Sequence, residues 1–138
     1  MQIGALFELE KVIRHLDNLD LVRPGRHLLK RGFLGDMSSS SQQRKYYFFF
    51  NDLIVETTPR KSIKKGAQQK YDYVRAAHLT DDWSVKSASQ MKEFGFVLVG
   101  VHRHSTWVQP SFVASDQSEF NEWIRVLLKY TKKRNTEG

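Results

Sequence analysis

Two clusters of cations stand where a fold could gather them around an anion. Arg44 and Lys45 open an aromatic run, and Arg60, Lys61, Lys64 and Lys65 crowd a segment bounded by Pro59 and Gly66. Guanidinium and ammonium groups brought together bind phosphate or carboxylate through charge-assisted hydrogen bonds. Other chemistry has little support. His102 and His104 would share one face of a strand, but two histidines without a nearby third ligand do not make a metal site. Asp81-Asp82 reads as a turn rather than a catalytic pair. No Ser-His-Asp set, glycine-rich phosphate loop or metalloprotease motif is present. No catalytic residue, metal ligand or cofactor is therefore assigned, and the chain does not read as an enzyme.

The totals agree with an anion-binding role. The net charge is +7 and the sequence pI about 9.7, which favours lipid headgroups, nucleic acid or an acidic protein face. At 138 residues, 40% hydrophobic and 27% charged, the chain can bury a real core in one domain. No apolar stretch approaches the roughly 20 residues that span a bilayer, and the first residues do not resemble a secretory signal. The absence of cysteine leaves no disulfide or thiolate metal site and fits a reducing compartment.

The elements that must position these cations follow from periodicity. Leu6, Leu9, Ile13 and Leu16 recur at three- and four-residue steps, predicting a helix over 3–19 that Arg23-Pro24-Gly25 ends. Its stripe must pack on something, because so short a helix is marginal alone. From Arg26 the period changes. Strands are predicted over 27–34, 44–50, 53–56, 70–79, 83–87, 94–103 and 106–114, with Gly32 as a bulge or close approach. Polar loops fall at 36–43 and 57–69. The run Arg44 to Glu56 is a hairpin turning at Asn51-Asp52. Alternation places Tyr47 and Phe49 on one face and Tyr46, Phe48 and Phe50 on the other. Both faces are aromatic, so the outer set needs a cover: the N-terminal helix or a partner protein. Ser115 or Asp116 can cap a last helix, with Glu119 three residues past Asp116 as in a capping box, and along it Phe120, Trp123, Ile124 and Leu127 share a face.

Leu28-Leu29-Lys30-Arg31-Gly32-Phe33-Leu34, the run Arg44 to Val55 and a terminal helix carrying Trp123 together resemble a pleckstrin homology (PH) domain. "FFFNDLIV" is similar to the wording found where such a domain follows a Dbl-homology (DH) domain in Rho guanine-nucleotide exchange factors. The resemblance implies a mainly β fold: a seven-stranded antiparallel sandwich or partial barrel capped by a C-terminal helix, with Trp123 as its plug and an extra N-terminal helix. It divides the chain into 1–25, the end of a DH domain and linker; 26–132, the PH domain; and 133–138, a tail.

The same resemblance implies a non-catalytic, cytoplasmic module that associates peripherally with membrane and positions or regulates an exchange domain in cis. Its expected partners are anionic phospholipid or phosphoinositide, the DH domain and a Rho-family GTPase. The lipid-binding candidates are Lys30, Arg44, Lys45, Arg60, Lys61, Lys64 and Lys65. The family's tight-binding pattern is interrupted, since Asp36 and Gln43 stand where lysines are wanted and only Lys45 survives as a cation. Weak or unselective lipid binding is implied. The alternatives for Arg44 and Lys45 are strand-end salt bridges, and for the 60–65 loop a solvated face. The alternative function is a protein-binding module related to phosphotyrosine-binding domains, with Tyr46, Phe48 and Phe50 as contact candidates. Nucleic-acid binding rests on charge alone, because the aromatics are too strand-periodic to be base-stacking platforms.

Overall fold

The computed structural model describes residues 3–16, 19–39, 43–61 and 66–137. Helix α1, Ile3–Val12, is shorter than its apolar period suggests, because Ile13–Arg14 leave it as a strand, β1. β-Branched Val12 and Ile13 are stiff at χ1 and suit extended backbone. The edge of β5 offers β1 a parallel partner, Ile13 against Tyr71 and Arg14 against Asp72. His15, at φ 67°, then turns the chain away.

The remaining strands are β2 (Leu28–Asp36), β3 (Arg44–Phe50), β4 (Leu53–Pro59), β5 (Tyr71–Ser87), β6 (Gly95–Val101) and β7 (Ser111–Val113). Their order is β1-β5-β4-β3-β2-β7-β6, and a further β5–β6 pairing nearly closes the ring. The sheet has seven strands, reached differently from the sequence expectation. The strands predicted at 70–79 and 83–87 are one strand, β5, which bends through a register shift between Leu79 and Ser84. Such an irregularity lets one strand serve both halves of a barrel. The seventh strand is β1, so the sheet is mixed rather than wholly antiparallel. The strand expected at 106–114 shrinks to β7, because 102–110 fold back as a loop that buries Trp107.

Helix α2, Gln117–Glu137, closes one end. Asp116 caps it, its Oδ1 accepting from Glu119 N at 2.8 Å, while the Glu119 carboxylate accepts from Ser115 N at 3.0 Å. Trp123 and Leu127 enter the ring and meet Leu34, Tyr47, Phe49, Phe96 and Phe112 in the first core. The Trp123 and Phe49 rings lie 4.8 Å apart. Gly32 is the close approach its position suggested: a Cβ there would stand 3.2 Å from Trp123 Cζ2.

A second core lies outside the ring. Phe48, Phe50, Leu53, Val55 and Tyr71 face outward and are covered by Leu6, Leu9, Val12, Ile13 and Leu21. Of the two covers left open for the outer aromatics, the chain supplies its own. Phe48 and Phe50 are 0% and 1% exposed, so they are not surface for another protein. Tyr46 is half-buried at the rim, where Arg31 donates to the Tyr46 and Tyr71 hydroxyls at 3.1 Å each.

The Asn51-Asp52 turn has no positive φ, so it is not a primed hairpin turn. The linker before β2 holds it instead. Arg26, 3% exposed, donates from Nε and Nη2 to the Asp52 carboxylate at 2.8 and 3.1 Å, and from Nη1 to Asp20 O and Leu21 O. Asn51 accepts from His27 N at 2.8 Å and donates to Gly25 O at 3.0 Å. Helix, linker and hairpin are thus one packed unit. Phe48→Ala is expected to lower the unfolding free energy by about 3–5 kcal/mol, the range of a buried core phenylalanine; urea titration checks this, and a loss near zero would mean α1 does not cover the strand.

Candidate anion-binding cleft

The ends of β2 and β4 and the starts of β3 and β5 lie at the same end of the β2–β3–β4–β5 array, as the pairings Gly35 with Arg44 and Pro59 with Tyr71 require. There a cleft of about 330 Å³ is lined by Asp36, Ser39, Gln43, Lys45, Glu56, Val74 and Arg75. Its floor is a charge network. Arg75 donates from Nη2 to Asp36 Oδ2 at 2.9 Å and from Nε to Glu56 Oε1 at 3.0 Å. Its guanidinium lies 4.1 Å from the centre of the Trp107 ring, a cation–π contact. Glu56, 2% exposed, also accepts from the Tyr47 hydroxyl at 2.6 Å. A buried carboxylate needs such partners, because an unpaired charge out of water costs several kcal/mol.

The Tyr47 phenol is pushed far above its ordinary range. Burial is the main cause, followed by its bond to Glu56 and the negative charges of Glu56 and Asp36. The cleft is balanced in charge, with Asp36 and Glu56 against Lys45 and Arg75. Both the Nε and Nη2 of Arg75 are already taken. Lys45 lines the cleft and has no salt bridge among the described residues. An entering phosphate would meet one free ammonium and two carboxylates.

The other cations lie elsewhere. Lys30 sits 3.0 Å from Glu122 and 5.0 Å from the centre of the Trp123 ring, on the α2 side. Arg44 makes the strand-end salt bridge, to Glu119 at the start of α2, and also donates to Phe33 O at 2.7 Å. Arg60 stands 3.6 Å from Asp72, and Lys61 is exposed. Lys64 and Lys65 lie outside the described residues. Of the seven candidates, Lys45 alone lines the cleft among the described residues.

No protein-family profile and no curated protein sequence matches the chain. Solved structures match its fold. The PDZ-RhoGEF DH/PH domains in complex with GTP-gamma-S activated RhoA superpose with a TM-score of 0.68 at 14% identity, over 96% of this chain and 40% of that one. The DH/PH domain of human ARHGEF11, in a ternary complex with human RhoA and its inhibitor, gives 0.64 at 16% identity, over 96% and 39%. An activated truncation of Vav1 gives 0.61 at 14%, over 94% and 32%. The chain has a pleckstrin homology fold. It spans 32% to 40% of the length of those three structures.

Within the PH fold, the cleft lies at the end of the sheet where β2 and β4 finish and β3 and β5 begin. Sequence reading placed Asp36, Gln43 and Lys45 there but missed Glu56, Arg75 and Trp107. Alternation carried a signal for two of them. Ile54 and Ala77 face the inner core, so Glu56 and Arg75, two residues away and paired in register, face inward as opposite charges. Trp107 stands in a loop without periodicity and gave none.

Two outcomes are expected. Asp36→Asn removes one negative charge from beside Arg75, so affinity for a soluble inositol polyphosphate is expected to rise by about tenfold in calorimetric titration. The Tyr47 phenol is raised in the folded state, so its contribution to stability is fully present below the unfolded pKa near 10.0 and is lost as pH rises beyond it. The unfolding free energy is expected to fall steeply above about pH 10, less so in Tyr47→Phe, as urea titrations across that range would show.

Proposed function

We propose that the chain is the non-catalytic PH module of a Rho guanine-nucleotide exchange factor. In this reading it holds anionic membrane weakly, from the cytoplasm, and sets the position of an exchange domain in cis through α1. The observation that carries the reading is the packing of α1 and its linker onto the outer face of β3 and β4, locked by Arg26 and Asp52. A helix fixed so firmly transmits orientation to whatever adjoins it, which is what a positioning module needs. The likeness to DH/PH structures, over 96% of this chain for PDZ-RhoGEF, supports the same context.

Weak membrane binding follows from the balanced cleft together with the +7 overall charge. Among the described residues no helix is long and apolar enough to cross a membrane. A second reading, contact with a GTPase or peptide, draws on Phe33, which is 46% exposed and packs edge-on against Tyr46 at 4.8 Å. That aromatic pair replaces Phe48 and Phe50 as the surface a protein could touch.

The chain alone is expected to leave nucleotide release from RhoA unchanged and to co-sediment with phosphatidylserine-containing vesicles more than with phosphatidylcholine vesicles, gaining little from added phosphoinositide. Equal sedimentation with both vesicles, together with retention on GTP-gamma-S-loaded RhoA that Phe33→Ala abolishes, would replace the membrane reading with the second one.

A further inference from the structure

Three exposed cations without partners share one face of α2, away from the cleft. Arg125, Lys129 and Lys132 are all exposed. None makes a salt bridge or side-chain hydrogen bond among the described residues. The acidic groups earlier in the helix are already neutralised, Glu119 by Arg44 and Glu122 by Lys30. At 3.6 residues per turn, Arg125, Lys129 and Lys132 fall within an arc of about 60° and rise about 10 Å along the axis. Trp123 and Leu127, which enter the core, point the opposite way. Leu128, 37% exposed, flanks the stripe.

Resting on the membrane reading above, we propose that this face of α2 is the surface that docks on an anionic bilayer. Its shape argues for a bilayer over a single headgroup. A polyphosphate site needs donors converging on one point, as in a cleft, whereas these three side chains diverge from a convex ridge. A sheet of anionic headgroups meets all of them at once, while Leu128 can reach the interface beside them. Each basic side chain near such a surface strengthens binding roughly fivefold, and the effect fades with salt.

The test is vesicle co-sedimentation of the whole 138-residue chain with phosphatidylcholine vesicles, with and without phosphatidylserine, at low and high salt. Arg125→Gln/Lys129→Gln/Lys132→Gln is expected to weaken partitioning onto phosphatidylserine vesicles on the order of 100-fold. Each single substitution is expected to account for about fivefold, so the series stays informative if the triple variant folds poorly. Lys45→Gln/Lys61→Gln is the comparison arm. Loss of binding in that arm with the α2 variants unchanged would overturn the α2 surface and leave the membrane reading standing. Failure of the unsubstituted chain to distinguish the two vesicles would overturn both.

Discussion

Strand β3 carries aromatic side chains on both faces, and neither face can be left in water. Everything else in the architecture answers that constraint. Tyr47 and Phe49 are enclosed by the ring and by Trp123 from α2; Phe48 and Phe50 are enclosed by α1 and the linker. Each buried phenylalanine is worth roughly 1.5–3 kcal/mol, so removing either cover forfeits a sizeable part of a typical domain's net stability. The N-terminal segment is therefore part of the folded unit and not an appendage to it. The Arg26 clamp fixes where it lies, because a guanidinium buried beside a carboxylate and two carbonyls has few other places to find partners.

At the cleft, electrostatics rather than packing decides what can bind. Arg75 lines the cleft, but Asp36 and Glu56 hold its donors and Trp107 holds its face. The cleft's charges are thus matched from within. Its own net charge is close to nil, while the chain carries +7, so the positive potential is displaced to other surfaces. The α2 face with Arg125, Lys129 and Lys132 exposed is one of them. Fold and ligand preference are in this way separable: the same ring could hold a tight site or none, according to one or two side chains.

Much of this was legible from the sequence. The Tyr46–Phe50 alternation assigned each aromatic to its face, and the terminal helix, its cap and its tryptophan stood where periodicity put them. Gly32 betrayed the approach of a large ring. What escaped was whatever depended on contacts distant in sequence. The helix period ran through Ile13 and Leu16, but the free edge of β5 drew Ile13 into a strand. The polar Thr80 to Asp82 stretch looked like a break, but β5 continues through it with a shifted register. The cations were clustered in sequence and dispersed in space, because strand ends and loop ends that adjoin along the chain point toward different elements. Arg75 and Glu56 were readable from alternation; Trp107 was not, since a loop has no period to read.

The ring closes through the β5–β6 pairing without any help from β1. What the N-terminal segment covers is thus the outer face of an unusually aromatic strand whose edges are both already paired. Short, uncharged aromatic runs are the segments most prone to stack between chains. Here the run Tyr46–Phe50 is bracketed by Arg44 and Lys45 on one side and by Asn51 and Asp52 on the other. Charge and turn-forming residues at the flanks of such a run oppose its extension into a shared sheet. Arg44 and Lys45 thus stand where flanking charge would oppose such pairing before the helix has packed, with no ligand required.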